Sequence, residues 1–578
     1  METIIHHVDL CIVGGGMAGI SAAVAAARNN LKVALIHDRP VLGGNASSEI
    51  RMWICGASGQ GFGRETGIIE EILLDNRWRN PTKNLSLWDT VLYEKVRFEP
   101  NIILLLNTSC CDAVMTRNRI ESIKAWQLTT QTWYQVNASL FADCSGDSIL
   151  APLSGAEFRM GTEGSYEFNE NIAPEKANKN TMGISCLMQL RQADSPKKFI
   201  LPKWAYKYDT EQSLAHRGHR VNEQQNFWWL EIGGTKNTIA CAEEARDELL
   251  KIALGVWDHI KNYCTQSTNL ENWELDWLGF LPGKRESRRY IGDYILSQND
   301  IRKGGCFDDA IAFGGWSMDN HHPEGFYYKG DPTIFHAAPA CYGIPYRCIY
   351  SRNIENLFFA GRNISATHVA MSSCRVMATC ALLGQAVGTA AAVAFEKNAT
   401  PRQVGQHYIG YLQKILLDSD CYLPNLKREM CETTKASVIM ASQGNPEFLR
   451  NGIDRTFGNE INAWQASVGD SVEFILPHET FVRKIRIVFD SNLESKYLNI
   501  HSLYQLNSKE ESTPDTLVKS YSIEAKLHDS NWQVVTHVQD NHQRLVYHDI
   551  NQTTKAIRFI IHSTYGKSII HLYSIDLL

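Results

Sequence analysis

An α/β protein with an all-β domain appended is what this sequence predicts, on three observations. Residues 8–38 read as buried strand, glycine turn, helix and second strand. A buried strand followed by a long apolar helix returns at 357–395. From 436 onward, short alternating strands are separated by polar turns. The 578 residues exceed one ordinary domain, and 44% hydrophobic with 21% charged residues is the balance of a globular chain.

The first stretch, VDLCIVGGGMAGISAAVAAARNNLKVALIHD, organises the rest. Residues 8–13 form an apolar run suited to a buried strand, 19–28 is alanine-rich helix, and 32–36 is a second buried strand. Between them Gly14, Gly16 and Gly19 occupy the G-x-G-x-x-G frame, with Met17 and Ala18 inside it. That order is a Rossmann-like dinucleotide-binding unit. Gly14 permits the tight turn, Gly16 lets a pyrophosphate approach the backbone, and Gly19 lets the helix pack on the sheet. The phosphates then meet N–H groups at the positive end of the helix. An acid holding ribose hydroxyls is expected where the second strand ends. His37 aligns with that position and Asp38 follows it. Either Asp38 takes the role after a slight shift, or His37 bonds a ribose hydroxyl.

Just past the second strand comes another glycine pair, Gly43 and Gly44, with Asn45 and Ser48 behind it. They open the block GGNASSEIRMWICGA at 43–57, followed by RETGIIEEIL at 64–73 and ADCSGDSILAPLSGAEF at 142–158. PGKRESRRYIGDYIL at 282–296, GGWSMDNHHPEG at 314–325, IPYRCIY at 344–350 and NLFFAGRNISATHVAMSSCRVMATCALLGQAVGTAAA at 356–392 complete the series. In these blocks the sequence resembles the FAD-dependent oxidoreductase superfamily, with the two-dinucleotide-binding-fold architecture of glutathione reductase and fumarate reductase. More narrowly, it resembles a bacterial family called FAD-dependent oxidoreductase. Cys144-Ser145 stands where the superfamily's D-A-T-G-D segment has Ala-Thr.

The resemblance implies bound FAD. Gly43, Gly44, Asn45 and Ser48 would contact it, as would Cys110 in a strand pair read at 101–114 and 119–127. Ser145, Gly146 and Asp147 would pass the pyrophosphate at the turn ending the strand 141–146, and Gly361 and Arg362 follow the buried strand 357–361. A helix beginning near Ser373 and running 375–395 would aim the N–H groups of Val376 and Met377 at the flavin's pyrimidine oxygen, with Arg375 beside cofactor or substrate.

By position in such proteins, 159–340 is an inserted α+β cap that forms the substrate domain, so the FAD-binding domain is discontinuous, 1–158 and 341–400. The cap carries the aromatic run 227–229 and a long helical pattern at 241–263. Asp319, His321 and His322 are its richest acid–base cluster. A histidine accepts a proton near neutral pH while a carboxylate fixes its tautomer. His321 is the first candidate base, His368 in the flavin-side loop the second, and His336 and Tyr346 follow. Arg285, Arg288 and Arg289 with Glu286 read either as an ion-paired structural knot or as an anion site.

Residues 401–434 read as a helical connector, amphipathic at 408–417. Residues 435–578 resemble a galactose-binding-like β-sandwich, a jelly roll with strands at 471–476, 482–489, 521–527, 532–538 and 556–562. Such a module either packs against its neighbour, building a homo-oligomer in some cases, or binds glycan. A net charge of −6 argues against nucleic-acid or polybasic membrane partners. The run 377–395 contains Gln385 and reads as interior helix rather than membrane span. The start METIIHHVDL has no basic region ahead of an apolar core, so no secretory signal and a cytoplasmic location are expected. Fifteen cysteines without a C-x-x-C pair fit reduced thiols, with Cys110 and Cys111 read as buried strand residues. No His and Cys fall at metal-ligand spacing, so no metal is expected.

The expected activity is that of an FAD-dependent oxidoreductase moving hydride from a small polar substrate, such as a carbohydrate or glycoside, to flavin N5. The alternatives are a fumarate reductase-like C–C bond reductase or desaturase acting on a carboxylate, and a flavin-containing scaffold without turnover.

Overall fold

The computed structural model describes residues 3–57, 63–222, 225–265, 269–493, 510, 512–526 and 531–578. β1 (Thr3–Val13), α1 (Met17–Arg28) and β2 (Val33–Ile36) form the first unit, the two strands pairing in parallel. β3 (Ile102–Leu105) adds beside β2. β4 (Thr108–Thr116), β5 (Arg119–Gln127) and β6 (Thr132–Asp143) form an antiparallel meander, and β6 returns parallel to β1. β7 (Leu357–Phe359) joins β6 from far along the chain. The order is β3-β2-β1-β6-β5-β4, with β7 also on β6. The stretch 101–114, expected as a single strand, is broken at Asn107 by a left-handed turn (φ +52°). Its first part extends the parallel sheet and its second part opens the meander.

The register sets up the site. Val13 pairs with both Ile36 and Asp143, and Asp143 also pairs with Phe359. Four parallel strands therefore end level, and the loops beyond them open onto one crevice, where α/β sheets bind ligands.

The inserted region does not pack as one unit. Ile184, Met188, Leu190, Trp229, Trp257 and Phe326 share a core built around α2 (Ala242–Asp258). Tyr290, Ile311, Phe313 and Met318 pack instead into the core of the large sheet. Short antiparallel pairs frame the crevice: Met318–His321 with Thr333–His336, and Ile184–Ser185 between Glu231–Ile232 and Gly283–Lys284.

The helix expected from about Ser373 is two helices, α3 (His368–Cys374), capped by Thr367, and α4 (Met377–Glu396). The break at Arg375 and Val376 brings the amino end of α4 to the crevice. α4 is apolar and long enough to cross a membrane, but it is buried in the fold. Gly384 and Gly388 press on α1 so closely that a Cβ would lie 2.0 and 2.2 Å from the carbonyl oxygens of Ala18 and Ala22.

Helices Pro401–His407 and Ile409–Asp418 lead to the C-terminal domain. There β8 (Val438–Ala441), β9 (Trp464–Ser467), β10 (Ser471–Phe489), β11 (Val518–Lys526), β12 (Trp532–Val538), β13 (Leu545–Thr564) and β14 (Ile569–Leu577) pair antiparallel throughout. The order is β9-β14-β10-β13-β11-β12, with β8 on β10. The strands expected at 471–476 and 482–489 are one, since a register shift between Ile475 and Thr480 lets β10 bend and continue. Residue 527, the expected end of another strand, lies outside the described residues. This domain has its own core, including Trp464, Phe474, Tyr521 and Phe559. It is fastened to the rest by buried arginines: Arg544 bonds Asp420 at 2.7 Å, Arg486 bonds the Asp418 carbonyl at 2.8 Å, and Arg64 bonds the Ser491 carbonyl at 3.2 Å.

Candidate functional site

The crevice holds a cavity of about 740 Å³ running from the glycine turns to the inserted strands. Gly14 turns the chain out of β1 with φ +107°, and a Cβ there would lie 2.4 Å from the Cys144 carbonyl carbon. Gly16 has extended backbone (φ −72°, ψ −177°) and faces open space, with Gly44 Cα at 3.9 Å the nearest atom to a Cβ. The second glycine pair lies alongside: the Gly43 N–H donates to Gly15 O at 2.8 Å, and Gly16 and Gly43 form a parallel bridge. Two bare backbone turns thus wall the cavity at the start of α1.

His37 does not point to a ribose. Its Nδ1 accepts the Gly15 N–H at 3.0 Å, so that nitrogen carries no proton, and Nε2–H donates to Val41 O at 3.0 Å. Burial, then the Arg39 charge, lowers its pKa to about 4. The ring is a neutral prop for the glycine turn. Asp38, 65% exposed at the side chain, lines the cavity and keeps the ribose role geometrically available.

Opposite the turns, Asp147 accepts from Lys284 Nζ at 2.5 Å, Arg362 at 2.8 Å and Ser287 at 2.8 Å. Burial would raise its pKa, but the Arg362 and Lys284 charges outweigh it and hold the carboxyl at about 2. The Arg362 guanidinium lies across Gly146, and its Nε is buried without a hydrogen-bond partner; Nη1 of Arg39 likewise makes no hydrogen bond, its nearest acid being Glu49 at 3.7 Å. Both residues line the cavity. Two cationic groups with donors that make no protein hydrogen bond, open backbone at two glycine turns and the amino ends of α1 and α4 together fit a long ligand carrying a diphosphate. The lining also includes Met17, Ala18, Asn45, Cys110, Ser145, Gly361, Val376 and Met377. Burial and the Asp143 charge push the Cys110 thiol up to about 12, so it is an uncharged wall residue.

Three of the expected site residues lie off the cavity. Gly19 is off the cavity, packed on the Gly14 carbonyl, which is the role its place in the motif assigns. Ser48 turns away, its N–H donating to Asp89 Oδ1 at 3.1 Å. His368 is not in the lining: Nδ1 faces Glu286 at 2.8 Å and Nε2 faces Asn320 at 3.0 Å. It belongs to a buried knot in which Arg289 bonds Glu286, Glu163 and the Gly161 and Ala366 carbonyls. His322 stacks on Tyr328, and the Tyr346 hydroxyl donates to Pro401 O. Cys111 is exposed and Cys110 half-buried, at a register shift of β4 against β5.

At the far end of the cavity sit Asp319, His321, Arg285 and Arg375. His321 Nδ1 lies 2.6 Å from Glu231 Oε2, and Nε2 lies 3.3 Å from Asp319 Oδ2. Burial would raise both carboxyls, yet Arg285 and His321 lower Glu231, and His321 and Arg375 hold Asp319 far below its ordinary range. Arg285 bonds Ser185 Oγ and the Trp228 carbonyl, each at 2.8 Å, and lies 3.3 Å from Glu231. Arg375 reaches Asp319 at 3.2 Å, and its Nε is buried without a partner. The arginine cluster therefore divides: Arg285 lines the cavity, while Arg289 is structural. Glu231, Lys284 and Trp316 were not singled out in the sequence. Glu231 is 90 residues from His321 and carries no motif signal, whereas Lys284 stands in the block 282–296.

Away from the cavity, the fold gathers Glu211, His219, His259 and Cys264 with ligand atoms within 4.8 Å of one another. This revises the expectation of no metal-like set, which rested on sequence spacing.

The family model of FAD dependent oxidoreductases matches residues 9–416. A soluble pyridine nucleotide transhydrogenase of Marinobacter nauticus is 45% identical over 42 residues, 7% of this chain and 9% of that protein. Among solved structures, the family 32 carbohydrate-binding module of Streptococcus pneumoniae EndoD is 14% identical, covering 25% of this chain and 97% of the module (TM-score 0.20). The family 32 module of Clostridium perfringens NanJ, solved with galactose, is 10% identical, covering 26% and 97% (TM-score 0.19).

Proposed function

Because the chain belongs to the FAD dependent oxidoreductase family, we propose that this FAD-dependent enzyme oxidises a hydroxyl group of a small polar substrate, a sugar or glycoside, with His321 as proton acceptor. When bound, FAD supplies a two-electron hydride acceptor. Its diphosphate would lie along Gly14–Gly16 and Gly43–Gly44, with Arg362 and Arg39 completing the donors and Asp38 at the ribose. Glu231 accepts the proton of His321 on Nδ1, which leaves Nε2, beside Asp319 at the cavity wall, as the basic atom. Nε2 takes the hydroxyl proton while the carbon gives up hydride, so the alcohol becomes a carbonyl. Asp319 then stabilises the imidazolium across 3.3 Å, and Arg375 keeps Asp319 ionised. Glu231 is a positioning residue.

The single observation that carries this reading is His321 on the cavity wall, with a carboxylate 2.6 Å behind Nδ1. The level strand ends support the wider likeness to the two-dinucleotide-binding-fold superfamily. The fifteen free thiols support a reducing, cytoplasmic setting. A second reading has its own observation: Arg285 and Arg375 both face the cavity, a pair suited to a carboxylate, as a C–C bond reductase requires. Anaerobic mixing separates the two. Glycosides or polyols should bleach the flavin; if they fail and fumarate-like acids reoxidise the chemically reduced protein, the second reading replaces the first.

A further inference from the structure

We propose that Glu211, His219, His259 and Cys264 form a structural zinc site in the inserted region, remote from the flavin cavity. His259 opens the π-helical turn His259–Tyr263 that ends α2 and Cys264 follows it, while Glu211 and His219 come from the segment after Thr210. Both imidazoles are set for metal. His259 Nδ1–H donates to Tyr208 O at 2.7 Å, which leaves Nε2 as the unprotonated nitrogen. That atom is buried, has no hydrogen-bond partner, and faces the other three groups. His219 donates Nε2–H to Leu214 O at 3.1 Å, which turns Nδ1 into the cluster 3.2 Å from Cys264 Sγ and 4.0 Å from Glu211 Oε2. Backbone carbonyls behind both rings are the usual outer shell of metal-bound histidine. Glu211 Oε1 accepts from the Thr265 N–H and hydroxyl, which orients the carboxylate.

The donors suit zinc. Two imidazoles, a thiolate and a carboxylate make four N, S and O ligands with no position left for substrate, as in a closed structural site. Zn–N of about 2.0 Å and Zn–S of about 2.3 Å put tetrahedral neighbours about 3.5 Å apart, close to the 3.2 Å and 4.0 Å found. Binding replaces the thiol proton, which leaves to solvent. The site ties two distant segments together. Between Glu211 and His219, Arg217 bonds the carbonyls of Gly325, Phe326, Tyr328 and Gly330, the loop leading into the strand paired with the His321 strand.

The test uses the flavin-loaded full chain, grown with zinc and dialysed against a weak chelator. Metal analysis should find close to one zinc per chain. His259→Gln and Cys264→Ser should fall below a tenth of that and keep their flavin, while Cys306→Ser, an exposed thiol elsewhere, stays at the wild-type level. Stripping the wild type and adding cobalt(II) should give intense d–d bands to the red of the flavin, the mark of tetrahedral thiolate ligation, and zinc should raise the Tm of the stripped protein. Variants that fail to fold leave the wild-type cobalt spectrum to decide. The proposal is overturned if the wild type neither carries zinc nor shows tetrahedral cobalt bands, or if folded His259→Gln retains its metal.

Discussion

Gly16→Val separates cofactor binding from folding. The backbone at Gly16 is extended, a conformation valine adopts readily, and an added Cβ meets nothing nearer than 3.9 Å. Folding of the flavin-free protein should therefore change by no more than about 0.5 kcal/mol. The same branch occupies the space where the diphosphate must touch the amides. Losing two charge-assisted hydrogen bonds, each about 1.5–3 kcal/mol, weakens FAD binding by about 3–6 kcal/mol, or about 150- to 20,000-fold. Gly14→Ala is the contrasting variant, because its φ of +107° and the 2.4 Å approach to Cys144 make it a folding defect. The assay is the ratio of flavin to protein absorbance after purification, with FAD titration of the stripped protein and thermal melts beside it. Gly16→Val should be colourless with a normal apo-protein melt. Full flavin content in that variant would refute the placement of the diphosphate; a collapsed melt would refute the claim that the position is open.

Three further outcomes follow from the same geometry. His321→Gln should lower kcat by about 100- to 10,000-fold with flavin content unchanged, and near-normal kcat on the best substrate would exclude His321 as base. His37, buried with its pKa lowered from 6.5 to about 4, binds its proton in the unfolded chain first. Its contribution is thus complete above pH 6.5 and lost as pH falls toward about 4, up to about 3 kcal/mol; denaturant melts of the apo-protein should show this slope, and His37→Asn should flatten it. Arg544→Met strands a buried carboxylate at Asp420 and should cost about 3–5 kcal/mol, seen in calorimetry as an early transition of the C-terminal domain. One unchanged transition would show that this pair does not fasten the domain.

The parts of the fold that could be read from sequence are those where local chemistry and tertiary demand coincide. The unit from β1 to β2 has an apolar run, a glycine frame and a breaker-free helix within one short window, and each is required by the same turn. The stretch 101–114 misled because both its strands share the same residue types, and only Asn107, which tolerates a left-handed turn, marks the division. The break between α3 and α4 has no proline or glycine to announce it. It occurs where Arg375 turns toward Asp319 and Val376 toward the cavity, a tertiary demand that helix propensity does not encode. Likewise β10 runs through Pro477 and its polar neighbours because a register shift absorbs them.

The site divides along the same line. The glycine turns that line the cavity were legible because backbone-lined turns need glycine at set intervals, so Gly14, Gly16, Gly43, Gly44, Gly146 and Gly361 carry their geometry in their identity. The acid–base residues were not, because a histidine's role depends on what faces its two nitrogens. His321 and His368 each contact a glutamate through Nδ1, at 2.6 and 2.8 Å. Both second nitrogens also have a partner, Asn320 at 3.0 Å for His368 and Asp319 at 3.3 Å for His321; what distinguishes them is that His321 and Asp319 stand on the wall of the cavity and His368 does not. His37 is the third case, a histidine in the position of a ribose ligand that serves the turn instead, because a backbone N–H already claims its lone pair. Composition could nominate all three. Only the surroundings of each ring place one on the cavity wall, one in a buried knot and one behind the glycine turn.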